Sequence, residues 1–230
     1  MLLLIFPLSS CVEMQQVINQ LPQTQNMGTI DISAGLKEAL NNGISKQVSK
    51  LTAVDGFYRN EAVKILLPEE LKKVDSSLRK IGLGSLADEG LKVLNRAAED
   101  AVKEATPIFV DAVKNMSFAD AKTILMGNEN AATTYLQNTT STALYGKFNP
   151  VIKNSFTKVG ADKVWANIIS KYNVIPFVKK VNPDLTDYVT NQAMTGVFKM
   201  IAVEEKNIRT NLNSRTSTLL QKVFAMQDKR

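Results

Sequence analysis

The 230-residue chain has no histidine, a single cysteine and a net charge of +6. The missing imidazole excludes His-based zinc sites and the Ser-His-Asp and Cys-His nucleophile systems, and one Cys excludes an intrachain disulfide. A 44% hydrophobic and 22% charged composition is that of a globular protein with enough length for a real core.

The chain opens with an apolar run, Leu2 to Phe6, followed by Pro7 and Leu8-Ser9-Ser10-Cys11. An apolar run, small residues and then one Cys resemble the lipobox of a bacterial lipoprotein signal. That resemblance implies a signal peptide over residues 1–10, cleavage before Cys11 and lipid on its sulfur. The run departs from an ordinary secretory signal in carrying no Lys or Arg. It is also far shorter than the roughly 20 apolar residues that span a bilayer. Two or three acyl chains would hold firmly, since each buried CH₂ contributes about 0.8 kcal/mol. Val12 stands where an Asp would favour the inner membrane, so the expected address is the outer membrane, facing the periplasm. Residues 11–32 are polar and read as a flexible tether, with the folded domain over 33–230.

From there the sequence reads as helix. Leu36, Leu40, Ile44, Val48 and Leu51 form one stripe at helical spacing, starting near Ser33. A break follows at Asp55-Gly56-Phe57-Tyr58-Arg59-Asn60. Pro68 opens the next helix, with Leu71, Val74, Leu78 and Ile81 on its buried face and Gly82 at its end. A long amphipathic helix is predicted over about 85–115, with Leu91, Leu94, Ala98, Val102, Ala105, Phe109 and Ala112 on one face and a bend at Pro107. Ser117 and Asp120 form a capping box for a short helix that Gly127 stops. A Thr- and Asn-rich helical stretch over 130–158 is expected to break at Gly146 and Pro150. Trp165, Ile168 and Ile169 belong to another short helix. Asn182-Pro183-Asp184 signals the start of a second long helix to about 209, and a last helix lies near 215–226. No alternating strand pattern stands out. The expectation is an all-α, single helical domain of about seven to nine helices, organised by the helices at 85–115 and 183–209.

Charge is uneven. Residues 11–130 carry 14 basic and 16 acidic side chains, whereas residues 131–230 carry 14 basic and 6 acidic ones. A basic C-terminal half suits anionic lipid headgroups or another acidic envelope polymer. Nucleic acid is not expected as a partner in that compartment.

Reactive constellations are weak. Ser77-Leu78-Arg79-Lys80 and Ser155-Phe156-Thr157-Lys158 match S-x-x-K, but the companion motifs of penicillin-binding enzymes are missing. Asp100, Glu104 and Asp111 share a helical face, but Arg96, Lys103 and Lys114 interleave with them, which favours a solvated, salt-bridged surface. No metal site and no cofactor are expected. The break between helices offers Tyr58 and Arg59 as candidate binding groups.

Several phrases in order carry a second resemblance. They are Asp55-Gly56-Phe57-Tyr58, Leu67-Pro68 with Leu71 and Val74, Asn95-Arg96-Ala97-Ala98-Glu99, and Ala112-Val113-Lys114-Asn115-Met116-Ser117. Asp187-Tyr188-Val189-Thr190, Ile201-Ala202-Val203-Glu204-Glu205, Ile208-Arg209 and Arg215-Thr216 complete the set. Over about residues 33–226 the chain resembles the bacterial domain of unknown function 4197, found in exported proteins, many with lipoprotein signals. Glu61 departs from the family, where Pro often follows the Asn. The resemblance implies export and an all-helical domain, and it brings no catalytic residues. The sequence therefore reads as a membrane-anchored envelope module that binds a protein, lipid or polymer. Its candidate binding groups are Tyr58, Arg59, Asn95, Arg96, Glu205 and Arg209. The alternatives are a carboxylate- or Ser/Lys-based hydrolase or lyase with an interhelical pocket, and a carrier of an apolar ligand.

Overall fold

A computed structural model describes residues 29–80, 82, 84–174, 176–177, 180, 182 and 184–228. The signal-like segment, Cys11, most of the expected tether, Ile81 and Pro183 lie outside the described residues, as do the side chains of Leu78 and Ile168. Every regular element among the described residues is helical. In chain order they are α1 (Thr29–Thr52), α2 (Glu69–Lys80), α3 (Gly84–Val102), α4 (Ala105–Asn115) and α5 (Phe118–Leu125). Then come α6 (Ala131–Val159), α7 (Ala161–Asn173), α8 (Thr186–Thr210), a 3-10 turn (Leu212–Ser214) and α9 (Thr218–Asp228).

Helix α1 begins at Thr29, four residues before the expected start at Ser33. Asp31 in its first turn favours the positive end of the helix dipole, and Ile32 is already buried. The stripe Leu36, Leu40, Ile44, Val48 and Leu51 is buried throughout, as the spacing predicted. The domain closes around α8. It packs against α1, α3 and α6, and buries Val189, Ala193, Val197, Ile201 and Ile208 along its length. Phe198 meets Phe109 of α4 edge to face, with ring centres 5.9 Å apart.

Three sequence expectations need correction. The long helix over 85–115 is two helices, interrupted at Lys103-Glu104. The break comes before Pro107 and not at it, because Pro107 sits in the first turn of α4, where backbone N–H groups lack helical partners anyway. The breaks expected at Gly146 and Pro150 do not occur, and α6 runs unbroken for 29 residues. Pro150 forfeits one bond, to the carbonyl four residues back, which is that of Gly146. Leu144, Phe148, Ile152 and Phe156 are buried at four-residue intervals through the same stretch, and that continuous seam outweighs one missing bond. Helix α8 starts at Thr186 and not at Pro183. Asn182 and Asp184 do cap backbone N–H groups, of Asp184 at 3.0 Å and Thr186 at 2.8 Å, but in turns that precede the helix. The capping box of α5 forms as expected, with Ser117 Oγ accepting from the Asp120 N–H at 3.1 Å.

Candidate functional site

The break after α1 is held by two residues of α3. Asp55 takes a left-handed backbone with φ of 66°. At Gly56 a Cβ would come within 2.4 Å of the Lys50 carbonyl oxygen, so the tight turn requires glycine. Arg96 donates to Asp55 Oδ1 at 2.7 Å and to Glu99 Oε2 at 2.6 Å. Glu99 Oε1 accepts from the Phe57 N–H at 3.1 Å. Phe57 is fully buried against α8, where a Cβ on Gly196 would stand 2.8 Å from its ring. Asn95, one residue before Arg96, pins the next segment by accepting from the Ile65 N–H at 2.8 Å and donating to the Ile65 carbonyl at 2.9 Å.

A second cluster comes from α8. Glu205 reaches the start of α6, which has no cap from its own Asn130. Its carboxylate accepts from the N–H groups of Ala132 at 2.9 Å and Thr133 at 2.8 Å, and from the Thr133 hydroxyl at 2.8 Å. One turn on, Arg209 pairs with Glu205 at 2.8 Å and donates to the carbonyls of Ile124 and Leu125 at the end of α5. An acid therefore caps a helix N-terminus and a base a C-terminus, both in the favourable sense for the helix dipole. Arg215 repeats the device by donating to the Ile208 and Arg209 carbonyls at the end of α8, while pairing with Asp228 of α9. The Arg215 bond holds the Asp228 carboxyl below the usual carboxylate range. Glu204, adjacent to Glu205, points the other way and accepts from Gln47 and Lys46 of α1.

The six candidate binding residues thus separate. Asn95, Glu205 and Arg209 are buried with backbone groups of other elements as partners, and Arg96 is the half-buried clamp on the loop. Of the six, Arg59 is exposed and pairs with Asp55 at 3.1 Å, and Tyr58 is half-buried beneath the Lys64 ammonium. The structure does not bring all six into one site. Of the S-x-x-K residues, Ser155 is half-buried and Lys158 exposed on α6. Asp100 pairs with Lys103 at 2.8 Å. Among the described residues no group of three or more His, Cys, Asp or Glu is placed to hold a metal ion, and no helix is long and apolar enough to cross a membrane.

Space for a ligand lies elsewhere. An apolar cavity beside Glu205 and Arg209, lined by Leu36, Leu40, Ile201 and Phe224, measures about 30 Å³, room for little more than a water or two. A larger cleft of about 340 Å³ lies between the end of α6, α7 and the start of α8. Phe156 and Trp165 form its apolar wall, and Lys153, Lys163, Asp162 and Asp184 its polar rim. Hydrogen bonds from the Thr186 side chain and backbone hold Asp184 below the usual carboxylate range, with Lys153 adding attraction. Sequence analysis did not select these residues. Trp165 is visible as the one Trp, but its cleft partners from α6 and the start of α8 lie about 8 to 21 residues away.

The family described as protein of unknown function (DUF4197) matches residues 26–225. The chain belongs to the DUF4197 family. No curated protein and no solved structure matches it. Some of the phrases read from the sequence meet in space in the two clusters above. Asp55-Gly56-Phe57-Tyr58 is clamped by Arg96 and Glu99, and Glu204-Glu205 with Arg209 ties α8 to its neighbours.

Proposed function

We propose that this DUF4197 chain is a non-catalytic binding module of the bacterial envelope, held by lipid on Cys11 at the outer membrane and facing the periplasm. The observation that carries the reading is the fate of its ionic side chains. Glu99, Glu205, Arg209 and Arg215 all hydrogen-bond to the backbone of other segments, which is work in building the domain. The anchor rests on the Leu8-Ser9-Ser10-Cys11 pattern. Capacity for a partner lies in the cleft of Phe156, Trp165, Lys153 and Lys163, whose apolar wall and mixed-charge rim suit a small amphiphile.

Two measurements test this. Metabolic labelling with a clickable fatty acid is expected to mark the chain and to fail on Cys11→Ser; labelling that persists, or never occurs, removes the anchor. Native mass spectrometry of the chain released gently from its own envelope is expected to show a reproducible small-molecule adduct that Lys163→Glu weakens. A substrate turned over by the pure chain would overturn the non-catalytic reading.

A further inference from the structure

The cleft at the end of α6 is built by a turn. Gly160 ends α6 in the left-handed region, with φ of 68° and its N–H bonded to the carbonyls of Phe156 and Thr157. Beyond it α7 packs back on α6, so that Lys153 and Phe156 of α6 line one space of about 340 Å³ with Lys163 and Trp165 of α7. Leu185, just ahead of α8, adds a third apolar side chain. Phe156, Trp165 and Leu185 are all buried, and Trp165 packs on α3 as well, where a Cβ on Gly90 would stand 2.9 Å from its ring. The apolar wall is therefore fixed by the core before any ligand arrives.

The four charged groups of the rim are not equivalent. Asp162 accepts from the Thr157 hydroxyl at 3.2 Å and from the Lys163 N–H at 2.8 Å. Asp184 accepts from the Thr186 N–H at 2.8 Å. Both acids thus serve backbone N–H groups at the starts of α7 and α8, where the helix dipole favours negative charge. Lys153 and Lys163 have no such task. Both are exposed, and among the described residues neither ammonium has a carboxylate within ion-pair distance or a hydrogen-bond acceptor. Lys153 attracts Asp184 only from beyond that distance. Each ammonium brings three donors and no acceptor. The unused bonding capacity of the cleft is cationic, and it stands beside an apolar wall.

We infer that the cleft is a site for a single-chain carboxylic acid, its carboxylate met by Lys153 and Lys163 and its hydrocarbon chain laid against Phe156, Trp165 and Leu185. Charge selects the head. A cationic amphiphile would need acids whose oxygens are already bonded, and it would meet two unpaired ammoniums. Size selects the tail. A volume of about 340 Å³ lies near the lower end of the range for small-ligand pockets, about 300–1,000 Å³, which suits one short chain and not the two of a membrane phospholipid. The inference rests on the binding-module reading and names its ligand class.

The chain's one Trp is Trp165, so the cleft carries its own reporter. The test titrates the full chain carrying Cys11→Ser, so that no acyl group of its own competes, with decanoate below its micellar concentration. A saturable change in Trp165 emission is expected, and decanoate brominated at its chain end is expected to quench it. Affinity should rise by about fourfold per added CH₂ from hexanoate to decanoate. Lys153→Gln combined with Lys163→Gln is expected to weaken binding by about tenfold or more, with an unchanged circular dichroism spectrum because both side chains are exposed. Decyltrimethylammonium, the same chain with a cationic head, should bind about tenfold or more weakly than decanoate. Four results would overturn the inference: emission that decanoate leaves unchanged, bromine that does not quench, a double variant that binds equally well, or a cation bound as tightly as the acid. Any of these, with the native small-molecule adduct still weakened by Lys163→Glu, would remove the carboxylic acid and leave the binding-module reading standing; loss of the adduct as well would remove both.

Discussion

Replacing Glu205 by Gln keeps the side chain's shape and removes its charge, and the structure allows the loss to be worked out. Oε1 accepts from the Ala132 N–H and from both Arg209 Nε and Nη2, while Oε2 accepts from the Thr133 N–H and hydroxyl. An amide must set its NH₂ against one of these two sides. Against Thr133 it meets a backbone N–H; against Ala132 and Arg209 it meets three N–H donors. Either way a buried donor loses its acceptor, which costs about 1–3 kcal/mol, and Arg209 stays buried without a counter-charge. Breaking a buried pair from one side costs about 3–5 kcal/mol in all, out of a total stability of about 5–15 kcal/mol. Urea unfolding at neutral pH, followed by far-ultraviolet circular dichroism, measures the loss. The control is Glu129→Gln, which breaks a pair with Lys206 at 3.1 Å whose two ends are both well exposed, with an expected loss of at most about 1 kcal/mol. A Glu205→Gln loss no larger than that of the control would refute the capping role.

The other predictions concern backbone fit and pH. Gly196→Ala places a Cβ 2.8 Å from the Phe57 ring and 3.3 Å from Val63 Cβ; overpacking of about 1–3 kcal/mol outweighs the gain of about 1 kcal/mol in helix propensity. The same substitution in a Phe57→Leu background should cost less, and a double-mutant cycle by urea unfolding measures the coupling. Pro150→Ala should stabilise the chain by about 1–3 kcal/mol, because it restores one bond in α6 at an exposed position; an unchanged melting temperature would contradict this. Asp228 has a folded pKa below its ordinary value, owing first to its bond with Arg215. The unfolded state therefore takes up the proton first on acidification, so this stabilisation is present above the usual carboxylate pKa of about 3.9 and is lost as pH falls through the folded pKa. Asp228→Asn should show a smaller fall in urea midpoint between weakly and strongly acid pH than the parent, and equal slopes would dismiss the pair as a contributor.

Much of the helix pattern was legible because burial follows the apolar spacing, as in α1 and α9. The break between α3 and α4 was not. Lys103 and Glu104 are good helix formers, and Val102, Ala105 and Phe109 keep the apolar phase across it. Pro150 misled for the opposite reason, since a local breaker was overruled by a seam of tertiary contacts. Four of the residues named as binding candidates, Asn95, Arg96, Glu205 and Arg209, take long-range bonds within the fold. Glu205 bonds to residues 72 and 73 positions away, and Arg209 to carbonyls 84 and 85 positions away. Nothing local in the sequence specifies such partners. Phe177 lies among apolar neighbours in the sequence and so reads as core, whereas its ring is exposed.

The seating of α9 on α1 sets an order of assembly. At Gly35 a Cβ would lie 2.5 Å from Val223 Cγ2, so the last helix presses into the first at a point that only glycine leaves open. Most other partners of α1 also come late: α4, α5 and α8 emerge after residue 104, and only α3 comes before it among the described helices that pack on α1. A growing chain therefore leaves part of the apolar stripe of α1 uncovered until α9 is made. A fragment that ends before α4 has only α3 to cover that surface, and the seat at Gly35 is filled only once α9 has been made. Until then the uncovered stripe is the kind of transiently exposed apolar surface that invites aggregation.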